Sequence, residues 1–199
     1  MRFTQTCVVL GLLAIPALAS AQIKQPGAHA QYAVELEPHL VVEWDNYAPC
    51  ANSGFGPGMR ASIPFLDNGP IPRINNNMAI GFGLDWAHSS LNNGCYYRNV
   101  AYNGGNFSAD IFSIPVVAQW NFFLLPKISV FGEAGLVLQH RRYDNGYACG
   151  AAFCAGAGYT DNTADASFSV GGRFLVSDSV GFLLRLGYPY LSAGVSILL

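Results

Sequence analysis

The sequence predicts an all-β protein that closes into an eight-stranded, antiparallel, up-and-down barrel. Three observations lead to this fold class. Apolar and polar residues alternate with a period of two in eight segments of the chain. No mature segment reaches about 18 consecutive apolar residues, which excludes a bundle of membrane-spanning helices. The 199 residues also include 22 glycines and 11 prolines, which disfavour long helices.

Charge is scarce along the whole chain. Charged residues make up 11% of the sequence and hydrophobic residues 51%, whereas a soluble domain carries roughly 25% charged residues. Because Lys24 and Lys127 are the only lysines, the usual Lys/Glu surface of a soluble protein is excluded. The apolar content excludes disorder, and a formal net charge of -2 argues against a nucleic-acid partner.

The first 21 residues have the form of a secretory signal peptide. Arg2 precedes an apolar run from Val8 to Ile15, and Ala19-Ser20-Ala21 forms a cleavage site. The run is too short for a spanning helix, which needs about 20 apolar residues. We therefore expect a signal peptide at 1–21, a short periplasmic lead-in at 22–31 and the barrel domain at 32–199.

The eight strands follow one another with the same alternation. In the first, Tyr32, Val34 and Leu36 alternate with Glu35 and Glu37. Each of the others likewise places an apolar residue at every second position. The predicted strands are 32–44, 55–65, 78–86, 112–122, 128–139, 167–174, 180–188 and 191–199. An even number of strands, mostly of about 9 to 11 residues, suits a barrel that crosses a bilayer at a tilt.

Three features indicate that the apolar face points outward to lipid. The polar series consists largely of Gly, Ser and Ala, which fit a narrow lumen. Aromatic residues end the apolar series, where an interfacial girdle is expected, at Trp44, Trp86, Trp120, Phe122 and Tyr188. Connections also alternate between long and short. A soluble periplasmic barrel that binds a ligand inside is the alternative, because period two alone does not choose a face.

The connections define two different ends. Long ones are expected at Asp45–Ser53, Ala87–Asn106 and Arg141–Asp165, and a very short fourth at Tyr188–Tyr190. The connections at the other end are expected at Asp67–Asn77, Leu124–Lys127 and Val176–Ser179, and two of these three have only four residues. Long extracellular loops and short periplasmic turns are typical of outer-membrane barrels.

With these features the mature chain resembles the small eight-stranded outer-membrane barrels of the OmpA/OmpX type. The C-terminal strand, with Leu191, Ala193, Val195, Ile197 and Leu199 on one face, looks like the signal read by the barrel assembly machinery, with Leu where the family usually ends in Phe. The resemblance implies an outer-membrane location, a monomer, and outer-membrane lipid and lipopolysaccharide as surroundings.

Nine charged or titratable residues belong to the inward series. They are Glu35, Glu37, His39, Glu43, Arg60, Asp85, Glu133, Arg173 and Arg185. Isolated charges in a narrow lumen are costly, so we expect acids and arginines to pair and fill it. The prediction is a plug, with a gated or narrow ion path as the alternative. No metal or cofactor site is indicated.

The expected loops contain the remaining unusual residues. Four mature cysteines, Cys50, Cys95, Cys149 and Cys154, favour disulfides in an oxidising compartment. Loop geometry favours Cys149 with Cys154 and Cys50 with Cys95. Tyrosines and arginines suggest a surface that binds an extracellular ligand, or else contacts at the lipid interface. These residues are Tyr47, Tyr96, Tyr97, Tyr102, Tyr143, Tyr147, Tyr159, Arg98, Arg141 and Arg142.

One constellation suggests chemistry, although the main expectation is a non-enzymatic structural or surface-interaction protein. His88 and Ser90 share the outward phase of the third strand, and Asp110 has the outward phase of the fourth. This pattern is similar to that of outer-membrane lipid A deacylases, in which an acid orients the His and the His activates the Ser. A lipid A modifying hydrolase is therefore the alternative function.

Overall fold

Within the residues that the structure describes, alternation produces ten strands and no long helix. The structure, a computed structural model, describes residues 22–43, 53–91, 95–97, 100–102, 107–144 and 159–199. The strands are β1 (Glu35–Glu43), β2 (Gly54–Leu66), β3 (Asn76–Leu91), β4 (Cys95–Tyr97), β5 (Val100–Tyr102), β6 (Phe107–Leu125), β7 (Ile128–Asp144), β8 (Tyr159–Leu175), β9 (Val180–Tyr188) and β10 (Tyr190–Leu198).

Eight of these strands close into one barrel. Their order is β1-β10-β9-β8-β7-β6-β3-β2, and β1 pairs antiparallel with both β10 and β2. The two remaining strands, β4 and β5, form a separate hairpin in the second long connection. The predicted fold class, an eight-stranded antiparallel up-and-down barrel, is confirmed.

Side chains are arranged opposite to those of a soluble protein. Large apolar residues cover the exterior, with Val170 64% and Phe55 56% exposed. Arg60, Asp85 and Arg185 on the inside have no exposed area. The alternative of a soluble barrel with an apolar interior is therefore wrong, because the apolar phase of every strand points outward.

The barrel has a low wall and a high wall at the end that carries the long connections, here called the loop end. β9, β10 and β1 contain nine residues each, whereas β3, β6, β7 and β8 contain 16 to 19. Pairing of β7 with β8 continues up to Tyr143 and Tyr159. The parts of these four strands beyond residue 86 of β3, before residue 112 of β6, beyond residue 139 of β7 and before residue 167 of β8 are called the projecting wall.

The projecting wall differs from the predicted loops. Ala87–Asn106 and Arg141–Asp165 were expected to be loops, yet β3 extends into the first range and β7 and β8 extend into the second. β6 also begins at Phe107, five residues before the predicted strand. The reason is that outward positions become polar there, as at His88, Asp110 and Thr160, while backbone pairing continues. Hydropathy alternation ends before the strands do.

The opposite end, here called the turn end, holds the short turns and the lead-in. His29 of the lead-in is buried and stacks on Phe123, with ring centroids 4.2 Å apart and an interplanar angle of 7°. Its Nδ1 lies 2.7 Å from Asn75 Oδ1, and the backbone N–H of Asn75 donates to Ile23 O at 2.7 Å. Burial here raises the pKa of the Tyr32 phenol. Residues 22–31 thus pack against the mouth of the barrel.

Two glycines on β7 are expected to respond differently to replacement by Ala. A Cβ on Gly135, which faces the lumen, would lie 2.1 Å from Val116 O and 2.7 Å from Val117 Cα, whereas a Cβ on Gly132 would meet nothing within 4 Å. We expect Gly135→Ala to destabilise the barrel by about 1–3 kcal/mol through overpacking. Gly132→Ala should stay within about 0.5 kcal/mol.

Urea unfolding of both variants in detergent micelles, followed by tryptophan fluorescence, measures this difference. Equal midpoints for the two variants would contradict the close approach of β6 and β7 at Gly135.

Candidate functional site

The inward side chains of the barrel form one charged interior. All nine residues expected in the lumen lie on inward positions, and none is more than 7% exposed. Four belong to β1, one each to β2, β3, β7, β8 and β9. Because these six strands share the same period of two, the charges meet without any loop to position them.

Glu133 is the centre of this interior. Its carboxylate accepts from Arg60 Nη1 at 3.0 Å and from Arg185 Nε at 2.9 Å and Nη2 at 3.0 Å. Gln119 donates to it at 3.1 Å and Ser169 Oγ at 2.6 Å. One carboxylate thus neutralises part of the charge of two arginines while its own oxygens are saturated with donors.

Further ion pairs extend from Glu133 toward the turn end. Arg185 Nη2 also donates to Glu37 at 2.6 Å. Arg173 pairs with Glu35, which also accepts from Ser196 Oγ. The Arg185 guanidinium lies 5.2 Å from the Phe131 ring, so an aromatic face covers part of the cation. The desolvated charges of these pairs are stable because each lies against an opposite charge.

His39 and Asp85 form a second group toward the loop end. His39 Nε2 lies 2.9 Å from Asp85 Oδ1, and its Nδ1 lies 2.8 Å from the Glu37 carbonyl. The first of these contacts links His39 of β1 to Asp85 of β3. Arg60 Nη2 approaches Asp85 at 4.0 Å.

Buried acidic and basic side chains are nearly equal in number among the described residues. Five acids, Glu35, Glu37, Glu43, Asp85 and Glu133, share the interior with four arginines, Arg60, Arg141, Arg173 and Arg185. This near equality explains how so many ionisable groups share a space with almost no exposed area.

Several interior residues were missed by sequence reasoning. Arg141, expected in a loop, is 1% exposed on an inward position of β7 and donates to Gln139. Tyr190, expected in a turn, is 1% exposed and accepts from Arg60 Nη2 at 2.7 Å. Arg141 continues the odd phase of Glu133 and Gln139, which is the signal that could have found it. Tyr190 is two residues before Ser192 and could have been found in the same way.

The outer surface of the projecting wall holds the His88 constellation. His88 Nδ1 lies 2.9 Å from Asp110 Oδ1, and Trp86 Nε1 donates to the same oxygen at 3.2 Å. His88 and Asp110 are register partners on β3 and β6. Ser90 is two residues further along β3, but its side chain lies outside the described part of the chain.

Other expected site residues also fall outside that part. Cys50, Cys149 and Cys154 are not described, and of Cys95 only the backbone in β4 is described. The same holds for most of the loop tyrosines. Among the described residues, no group of three or more His, Cys, Asp or Glu could hold a metal ion. Nor does any helix within them have the length and apolar character needed to span a membrane.

Comparison with known proteins supports the fold. The chain is similar to Neisserial surface protein A, with a TM-score of 0.51 and 16% identity over 83% of this chain and 96% of that one. It is also similar to Ail, the attachment invasion locus protein of Yersinia pestis, solved with the heparin analogue sucrose octasulfate, with a TM-score of 0.50 and 9% identity over 82% and 95%. No family model and no curated protein sequence matches the chain.

The class of protein follows from these observations. An apolar exterior, a charged interior and eight closed antiparallel strands define a transmembrane β-barrel. Its fold is that of the small eight-stranded outer-membrane barrels.

The dependence of the barrel on Glu133 can be measured. Glu133→Gln keeps the shape but leaves Arg60 and Arg185 without their shared countercharge, so we expect a loss of about 3–5 kcal/mol. Ser169→Ala removes one neutral donor from the same carboxylate and should cost about 1 kcal/mol. Urea unfolding in detergent gives both values. Equal losses in the two variants would show that the charge of Glu133 is not what stabilises the interior.

Proposed function

We propose that this chain is a non-enzymatic outer-membrane protein that contacts other molecules at the cell surface through its projecting wall and loops. The observation that carries the proposal is the wall itself. Four strands continue beyond the last residue of β9, and their outward positions change from Leu136 and Leu138 to His140 and Arg142. A sheet whose outer face becomes polar suits water above a membrane and not its hydrocarbon interior.

The proposed location requires processing and assembly. Residues 1–21 would be removed as a signal peptide, which leaves residues 22–31 as a periplasmic lead-in and 32–199 as the barrel domain. The turn end then faces the periplasm. The C-terminal strand β10 would be read by the barrel assembly machinery, and the barrel would remain a monomer surrounded by outer-membrane lipid and lipopolysaccharide.

In this proposal the lumen is a structural plug. The balanced ion pairs around Glu133 support it, because opening an ion path would expose or separate desolvated charges. A small apolar cluster of Val41, Ala87, Ile111 and Tyr190 adds a dry layer. Planar bilayers containing the barrel should show no steady openings.

The cysteines are proposed to brace the loops. A Cys149–Cys154 bridge would close a short ring, and a Cys50–Cys95 bridge would tie the first two loops. Bridges of this kind lower the entropy of loops that lack a core of their own.

The surface role is tested by shortening the wall. The deletion of residues 142–160, with Arg141 joined to Asp161 through Asn-Gly, removes the tops of β7 and β8. It keeps the pairing of these strands below that point. Cells that express the shortened chain should lose adhesion to immobilised extracellular-matrix proteins and to a heparin surface. The full chain should adhere to at least one of these.

The comparison requires equal amounts of both chains in the outer membrane, checked by heat-modifiable migration on gels. Unchanged adhesion of cells with the shortened chain would refute a surface role for the wall.

A hydrolase that modifies lipid A is the second candidate function, and the contact between His88 and Asp110 favours it. A carboxylate that accepts from Nδ1 leaves Nε2 as the base, the arrangement used to activate a Ser hydroxyl. Ser90 follows two positions later in β3. Trp86 holds the same carboxylate, so Asp110 is fixed from two sides.

This second function predicts a change in lipid A. A strain that expresses the chain should lose one acyl chain from its lipid A, and His88→Asn, Ser90→Ala and Asp110→Asn should each abolish the loss. Mass spectrometry of extracted lipid A measures it. An acylation pattern identical to that of an empty-vector strain removes the enzymatic candidate and leaves the surface role.

A further inference from the structure

The upper part of β8 forms an open sheet edge. Phe168 pairs with Tyr188, the last residue of β9, whereas β8 begins nine residues earlier at Tyr159. Residues 159–167 pair with β7 on one side. On the other side, no strand within the described part of the chain pairs with them. Such an edge presents backbone groups that can accept another strand.

The register identifies the backbone groups that face this edge. The Leu175 amide donates toward β7, to Lys127 O at 2.8 Å. In an antiparallel ladder both backbone groups of a residue point to the same neighbour and alternate along the strand. No register shift interrupts the pairing of β7 with β8. The N–H and C=O groups that point to the open edge therefore belong to Thr160, Asn162, Ala164 and Ala166.

Side chains along the edge are small on one face and acidic on the other. Thr160, Asn162, Ala164 and Ala166 are exposed on the outside and carry no charge. Asp161 and Asp165 lie on the inner face, four positions apart, with Thr163 between them. Among the described residues, Thr163 Oγ1 and Asp165 Oδ2 are buried atoms with no hydrogen-bond partner. Arg141 on β7 is the register partner of Asp161 and shares this inner face, so the two carboxylates of β8 outnumber the cation opposite them. The inner face thus offers acceptors and an excess of negative charge.

We propose that residues 159–167 are a docking edge for an extended polypeptide segment of a partner protein with Lys or Arg at alternate positions. The segment would add a strand to β8 by hydrogen bonding to the N–H and C=O groups of the four residues that point to the open edge. Its cations would face Asp161 and Asp165. A second copy of this chain would oppose the same carboxylates with like charge, which disfavours pairing of two such edges. The inference rests on the proposed surface function and names its partner.

The experiment uses the full mature chain refolded in nanodiscs and two fluorescent peptides as probes. One peptide alternates Lys with Thr over eight residues, and the other replaces each Lys with Glu. Fluorescence anisotropy gives the dissociation constants. We expect binding of the Lys peptide, which weakens as salt is raised, and no binding of the Glu peptide.

Variants separate strand addition from simple charge attraction. Ala164→Pro removes one N–H that points to the edge without removing a bond to β7, and should weaken binding about 3- to 10-fold. Ala164→Val keeps that N–H and should bind like the parent. Asp161→Asn with Asp165→Asn should weaken binding and reduce its salt dependence. These two Asn replacements keep the inference testable if the proline variant does not fold.

Several outcomes overturn the inference. Equal binding of the Lys and Glu peptides removes charge recognition, and Ala164→Pro that folds and binds like Ala164→Val removes strand addition. Self-association of the parent in place of peptide binding assigns the edge to a second copy. Cell adhesion separates a failure of the docking edge from a failure of the surface function. If adhesion is lost in the shortened chain but unchanged in Ala164→Pro, the surface function stands and only the docking edge is refuted.

Discussion

Closure of eight strands places the inward charges of the barrel in one narrow space, and the rest of the structure depends on how these charges are compensated. Glu133 receives two arginines, a glutamine and a serine, and the pairs Arg185–Glu37 and Arg173–Glu35 continue from it. An uncompensated charge in such an interior costs several kcal/mol. The interior therefore acts as a rigid support, and contacts with partner molecules are expected at the projecting wall and the loops above it.

The height of the wall links this support to the surface. β9 and β10 end near the Tyr188–Tyr190 turn, while β8 continues for nine residues beyond Phe168. The extension is anchored by β7 on one side and by the charged interior below, so it needs no core of its own. The same geometry that exposes polar outward residues such as Asn162 also exposes the edge of β8. A barrel without edges in the membrane thus carries one edge in water.

Prediction from sequence succeeded where alternation was continuous and failed where one face changed character. The strand order, the outward apolar face and the inward positions of Glu35, Arg60 and Arg185 follow from a period of two. Arg141 and Tyr190 were assigned to connections, because hydropathy no longer distinguishes the two faces near the strand ends. The contacts of His29 with Asn75 and Phe123 were not predicted, because they join positions more than 40 residues apart.

The sequence by itself determined that this chain is a barrel, which residues face lipid and which charges of the continuous alternating segments share the lumen. Alternation is a local property of the sequence. Once the sheet closes, one series of side chains must face lipid and the other must face the lumen. The tertiary structure alone decided which acid meets which arginine, how far each strand extends and where the sheet stays open. Those features depend on register and on the unequal lengths of neighbouring strands, which are relations between distant segments and leave no mark in the local pattern.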